Sequence, residues 1–229
     1  MDVEGRRSAL RPRKGVVTTA DDYFKTRFVE DQRRAQVWRH LVKYLSRFVP
    51  NQADVLELGA GYCYFINQVP ARRRVAVDLF PDLAKHAAPG VEAHVSDALA
   101  FLRTCSAASF DFVFASNFFE HFEWSALNEM LPLVVRALKP GGRLGLLQPN
   151  FRLAPNRYFD DFTHRTIFTD VALQDWLEAN GLTVVHSEPR FMPLTVKGAG
   201  GGLGFLVPFY LMLPVRPLAG QMLVVAERK

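Results

Sequence analysis

The chain has 229 residues, 49% of them hydrophobic, and a formal net charge of +5; it can bury one large core and lies near the upper end for a single domain. Its two cysteines, Cys63 and Cys105, have no partners at metal-ligand spacing, which excludes a disulfide scaffold and a cysteine-built zinc site and fits a reducing cytoplasm. Much of the positive excess sits at the start of the chain, and the remaining bases are not interleaved with aromatics, so no nucleic-acid partner is expected.

The opening MDVEGRRSALRPRKG carries Arg6, Arg7, Arg11, Arg13 and Lys14 but no apolar run, which predicts a basic arm over residues 1–20 and not a secretory signal. Over residues 21–48 the apolar positions recur at helical spacing, with Phe28, Val37, Leu41, Tyr44 and Leu45 on one face, until Pro50 and Asn51 end the helix. Short β-branched runs then alternate with helical stretches, placing strands at 55–58, 75–78, 92–95, 110–115, 143–148, 183–186 and 222–226. That alternation predicts an α/β fold: a doubly wound, Rossmann-like seven-stranded sheet covered on both faces, with an N-terminal helical extension and an antiparallel last strand. The KPGG run from Lys139 to Gly142 predicts a tight turn after a helix over 125–138. The glycine-rich stretch 198–204 predicts a loop, and nothing breaks residues 21–229 into two domains.

The first predicted strand runs into VLELGAGYCYF, with Gly59 and Gly61 at its end, and the second closes on an acid, Asp78. Glycines let a ligand approach the backbone at the carboxyl end of the sheet, and the acid can accept two ribose hydroxyls, so a nucleoside cofactor is expected. A dinucleotide fingerprint needs a third glycine where this chain has Tyr64. Glu57 suits an ammonium or sulfonium group and repels a pyrophosphate. Adenosylmethionine meets both conditions.

With its ELGAG run from Glu57 to Gly61, DLF from Asp78 to Phe80, SDA from Ser96 to Ala98, FDFVFASN from Phe110 to Asn117 and LKPGG from Leu138 to Gly142, the chain resembles the class I methyltransferase family. The resemblance implies S-adenosylmethionine as cofactor. It implies that Glu57 organises the methionine amino group, that Gly59, Ala60 and Gly61 admit the cofactor, and that Asp78 binds its ribose. Leu79 and Phe80 would flank the adenine, Asp97 beside Ala98 would accept from its amino group, and Asn117 would lie near the methionine end. Cys63 departs from the pattern, standing where many members have a third glycine. Plainer readings stand beside these: a tight turn for the glycines, helix N-caps for Asp78 and Asp97.

Methyl transfer needs a base chiefly when the acceptor is an unactivated alcohol. Asp160, Asp161 and His164 follow the fifth strand within one short segment, and His164 is the preferred base; the competing reading has Asp161 and His164 merely pinning that segment. Glu120 and His121 are expected to satisfy each other in a buried hydrogen bond, and no metal site is expected. The apolar run from Leu203 to Val215 is too short to span a bilayer and is broken by Pro208 and Pro214. Core cover, dimer contact and a lipid-facing lip at the inner face of the membrane remain open for it. In the family's layout this segment would shape the acceptor side of the pocket. The run from Asp160 to Thr169 and the ending QMLVVAERK are similar to a bacterial subgroup associated with sugar and envelope-polysaccharide assembly, which implies O-methylation of a sugar, glycan or lipid-linked small molecule. A cofactor-binding protein without catalysis, a natural-product methyltransferase and a nicotinamide-dependent reductase are the rivals.

Overall fold

The computed structural model describes residues 32–194 and 203–229. The basic arm expected over 1–20, the start of the first helix and most of the glycine stretch 198–204 lie outside the described residues.

Helix α1, Gln32–Leu45, continues into a 3-10 turn, Ser46–Phe48. The strands are β1 (Asp54–Leu58), β2 (Arg73–Asp78), β3 (Val91–Val95), β4 (Phe110–Ser116), β5 (Leu138–Pro149), β6 (Leu182–Pro193) and β7 (Ala219–Arg228). They form one sheet in the order β3-β2-β1-β4-β5-β7-β6, parallel from β3 to β5, with β7 antiparallel to both β5 and β6. The remaining helices are α2 (Leu83–His86), α3 (Ala98–Thr104), α4 (Trp124–Ala137), α5 (Pro155–Tyr158), α6 (Asp170–Ala179) and α7 (Val207–Met212).

Strand periodicity of two splits the core between the faces of the sheet. Leu56, Leu58, Val113 and Ala115 pack with α3, α4 and α6 on one side. Val55, Phe112 and Phe114 pack on the other with Val37, Leu41 and Leu45 of α1, the face the helical spacing predicted. The reversal of strand order between β1 and β4 opens a crevice at the carboxyl ends of the parallel strands, where ligands bind in such sheets.

Three boundaries differ from the sequence reading. Arg73 and Arg74 lie inside β2, paired with Asp54 and Val55, because their guanidinium groups reach Glu92 and the Asn67 carbonyl at the sheet margin while their backbones complete the ladder. Strand β5 starts at Leu138, immediately after α4, and its register to β4 jumps between Phe110 and Phe112. The KPGG turn occupies that jump, with Gly141 at φ +73°. Lys139 of the turn holds Asp54 and Asp111 at 2.9 and 2.8 Å. Burial pushes the Asp54 carboxyl up, but Arg72 and Lys139 outweigh it and keep the group below its ordinary range, which ties β1, β4 and the turn together at the end of the sheet opposite the crevice. Strand β6 runs to Pro193, well past residue 186, through irregularities after Val184 and Glu188.

Candidate functional site

A cleft of about 650 Å³ lies at the carboxyl ends of β1, β2, β3, β4 and β5 and is closed on one side by Arg34, Val37, Trp38 and Leu41 of α1. The loop after β1 turns sharply, with Gly59 at φ +69° and Gly61 at φ +49°, and the amides of Gly59 and Ala60 both donate to the Val77 carbonyl at 2.9 and 3.2 Å. A Cβ on Gly59 would stand 2.4 Å from Phe118 Cδ2, so any larger residue must displace that ring. Cys63 has φ +58°, a left-handed conformation that glycine adopts freely and that costs other residues about 1–3 kcal/mol. The loop thus keeps its glycine-like shape at the position that departs from the family pattern. The Cys63 side chain is fully buried, and burial pushes its thiol up to about 12, which makes it inert.

Carboxylates line this half of the cleft. Glu57 is buried, with Oε2 accepting from the Ile66 amide at 3.0 Å; burial raises its pKa well above the carboxylate range, so it is primed to gain from a cation. Asp78 accepts from Gly61 N through Oδ2 and from Phe80 N through Oδ1, each at 2.8 Å. It therefore caps no helix, and each oxygen retains acceptor capacity; burial raises its pKa against the pull of these amides. Asp97, by contrast, is the N-cap of α3, with Oδ1 accepting from Ala100 N at 2.9 Å, and is also exposed on the cleft wall beside Ala98. Leu79 is half exposed on the same wall. Phe80, expected to flank the adenine, is not on the wall: its ring is buried against Tyr62 and His86, at centroid distances of 5.3 and 5.7 Å. Asn117 holds φ +48° at the end of β4, with Oδ1 accepting from Gln221 Nε2 at 3.0 Å, and lines the cleft.

Two clusters that look separate in the sequence meet at the other end. The Glu120 carbonyl accepts from the amides of both Arg165 and Thr166, at 2.7 and 3.1 Å, and Thr166 Oγ1 donates to the Phe122 carbonyl at 2.6 Å. These bonds fix the segment after β5 onto the one after β4, and Tyr158 anchors it from below by donating to the Thr166 carbonyl. His164 and His121 are brought together with ring centroids 5.1 Å apart. Thr163 Oγ1 donates to Asp161 Oδ1 at 2.5 Å and lies 2.9 Å from His121 Nδ1. Asp161 therefore acts on His121 through Thr163, and it is linked to His164 by the turn bond from His164 N to the Asp161 carbonyl, 3.2 Å, and by the attraction of its carboxylate for the imidazole. Asp160 stands at the rim, largely exposed, 3.7 Å from Arg157.

The expected hydrogen bond between Glu120 and His121 is absent. His121 Nε2 and His164 Nε2 lie 4.0 and 3.9 Å from Glu120 Oε1, beyond hydrogen-bond range. The fully buried carboxyl has no partner among the described residues beyond its own backbone amide. The connection of the two loops through the backbone holds the rings off the carboxylate. Burial pushes Glu120 up to about 8 and His121 down to about 4. Sequence reasoning assigned both residues a structural role; the available signal was that two polar clusters following neighbouring parallel strands must share one edge of the sheet.

The apolar segment divides. Val207 and Leu211 of α7 are buried against the α1 side of the core, whereas Phe205 and Phe209 are 62% and 66% exposed, with Met212 and Val215 exposed beside them. Contrary to expectation, none of the described side chains over 205–215 lines the cleft; Met192 and Leu194 from the end of β6 do. Among the described residues no helix is long and apolar enough to cross a membrane.

Residues 29–187 match a family described as a methyltransferase domain. No curated protein matches the sequence. Among solved structures, the chain is similar to a SAM-dependent methyltransferase of Archaeoglobus fulgidus, 21% identical over 90% of this chain and 98% of that one, with a TM-score of 0.64. It is similar also to the Burkholderia thailandensis 1,6-didemethyltoxoflavin-N1-methyltransferase with bound 1,6-didemethyltoxoflavin and S-adenosylhomocysteine, 21% identical over 91% and 84% of the two chains, TM-score 0.59. A S-adenosylmethionine-dependent methyltransferase of Mesorhizobium loti is 17% identical over 81% and 96%, TM-score 0.57.

Proposed function

Because the chain belongs to the methyltransferase-domain family and is an S-adenosylmethionine-dependent transferase, we propose that residues 21–229 act as one domain that methylates a hydroxyl oxygen of a sugar, a glycan or a lipid-linked small molecule. When bound, adenosylmethionine supplies a methyl group activated by its sulfonium. The groups present fit that cofactor: a glycine cradle that a single Cβ would fill, and carboxylates but no basic side chain at the turns after β1, β2 and β3.

In this reading Glu57 takes the methionine ammonium, Gly59, Ala60 and Gly61 admit its chain, and Asp78 accepts from the ribose hydroxyls through the acceptor capacity its backbone bonds leave. Asp97 offers Oδ2 to the adenine amino group, with Leu79 and Ala98 against the ring and Asn117 at the methionine end. Phe80 supports that wall through Tyr62 without touching it.

The observation that carries the choice of oxygen is the gathering of His121, Asp161 and His164 at one end of the cleft that also holds the carboxylate pocket. An alcohol gives up its proton reluctantly, and a positioned base contributes roughly 10²- to 10⁴-fold in rate. His164 accepts the hydroxyl proton, Asp161 fixes His121 through Thr163, and Asp160 meets the acceptor at the rim. Incubating the protein with adenosylmethionine and sugar or lipid-linked sugar acceptors is expected to give a product heavier by one methylene, with the His164→Ala rate lowered by roughly 10²-fold or more. A product methylated on nitrogen or carbon, or full turnover in that variant, would count against this reading.

The exposed Phe205 and Phe209 support a lipid-linked acceptor presented at the inner face of the membrane, since an apolar lip and a basic arm together make the two weak anchors that stable attachment requires. Co-sedimentation with anionic liposomes is expected, and it should be lost when residues 1–15 are deleted and Phe205 and Phe209 are changed to serine. Unchanged binding would remove the membrane from the account.

A further inference from the structure

We infer that Glu120, His121 and His164 form a site for one divalent transition-metal ion of the zinc class at the acceptor end of the cleft. The inference rests on the reading that this end receives the acceptor hydroxyl, and it names what would activate that hydroxyl.

One ligand atom from each of the three residues lies within 4.8 Å of the other two, and both imidazole Nε2 atoms face the same carboxylate oxygen at 4.0 and 3.9 Å. A tetrahedral ion with bonds of 2.0–2.1 Å has ligand-to-ligand edges of about 3.4 Å, so the two edges to Glu120 must close by about half an ångström and the edge between the imidazoles, no more than 4.8 Å long, by no more than about 1.4 Å. These spacings are too long for hydrogen bonds and near those that a shared cation would set.

The Glu120 carboxyl supplies a second, independent indication. Side chains of this kind are rarely left fully buried without a hydrogen-bond partner, because burial strips their hydration with nothing in exchange. Here both oxygens are buried with none beyond the residue's own amide, and a cation would offset that cost. The surroundings of His121 agree. The single proton of Thr163 Oγ1 is committed to Asp161 Oδ1, so His121 Nδ1 must donate to Thr163. Nε2 lies on the other side of the ring, 4.0 Å from Glu120 Oε1, and an outer hydrogen bond through Nδ1 is the arrangement by which metal-bound imidazoles are oriented. Two imidazoles and one carboxylate select zinc, cobalt or iron over magnesium or calcium, which take oxygen ligands. Three protein ligands leave a fourth position open to the cleft. An acceptor hydroxyl bound there would lose its proton to water more readily, and His164 would then serve as ligand and not as proton acceptor.

The test is a Co²⁺ titration of the full chain, freed of metal by chelation, followed by visible absorption. One equivalent per chain with ligand-field bands, displaced by Zn²⁺, is expected. Glu120→Gln, His121→Ala and His164→Ala should each weaken uptake by roughly 10²-fold or more while still binding adenosylhomocysteine, which reports that they are folded. His94→Ala, at an exposed site on β3, should leave uptake unchanged. No saturable absorption in the unaltered protein, or equal affinity in all the variants, overturns the metal site. If turnover on a hydroxyl acceptor then persists in chelator yet falls in His164→Ala, the proton-acceptor role stands without the metal; if no hydroxyl acceptor is turned over at all, the underlying reading fails.

Discussion

Replacing Asp78 by alanine is expected to weaken adenosylhomocysteine binding by roughly 10²- to 10⁴-fold, the equivalent of two hydrogen bonds to a charged acceptor at about 1.5–3 kcal/mol each. Asp78 holds the Gly61 and Phe80 amides at 2.8 Å, so part of any loss could reflect a loosened loop. A ligand lacking the ribose hydroxyls separates the two contributions. If Asp78 binds the ribose, the substitution costs far less with that ligand than with adenosylhomocysteine; if it acts only on the loop, both ligands lose equally.

Gly59→Ala is expected to be the most damaging change of a single atom in the cleft. Its φ of +69° costs an L-residue about 1–3 kcal/mol, and a Cβ 2.4 Å from Phe118 Cδ2 adds overpacking of about 1–3 kcal/mol, out of a total stability on the order of 5–15 kcal/mol. Phe118 itself lines the cleft, so a ring displaced to make room reshapes the wall, and affinity for adenosylhomocysteine should fall by at least about tenfold, a loss of about 1.4 kcal/mol. Gly141→Ala is the control. Its φ is +73° but nothing lies within 4 Å of the added Cβ, so urea unfolding should show a loss of about 1–3 kcal/mol with affinity unchanged. Equal affinities in both variants would show that the cradle at Gly59 is not part of the cofactor's bed.

The features most legible in the sequence are those set by local chemistry. The alternation of short β-branched runs with helical stretches marks the sheet, the glycines after β1 mark a tight turn, and Pro140 with the glycines after it marks the turn that the structure places at the jump in register between β4 and β5. Boundaries fail where tertiary pairing overrides composition. Arg73 and Arg74 sit in β2 because β1 offers a ladder and Glu92 offers a counter-charge, and neither is visible in the local run. The long edge strand β6 has bulges that break its alternation, so its later half carries no strand signature.

The site divides in the same way. Glu57, Gly59, Gly61 and Asp78 lie at the carboxyl ends of two neighbouring strands of a parallel sheet, and the topology alone collects them. The meeting of Glu120 and His121 with His164 depends on the Glu120 carbonyl accepting from the Arg165 and Thr166 amides. Backbone bonds between distant loops leave no trace in residue type. Phe80 shows the complementary failure: the motif position is right, but the ring fills an aromatic cluster with Tyr62 and His86 where the wall of the cleft was expected.

Calorimetric titration with S-adenosylhomocysteine tests the central claim most directly, because that ligand needs no acceptor, metal or membrane. One saturable site per chain, lost in Asp78→Ala, is the predicted result. An absence of both heat and saturable association under varied buffer and temperature would contradict it.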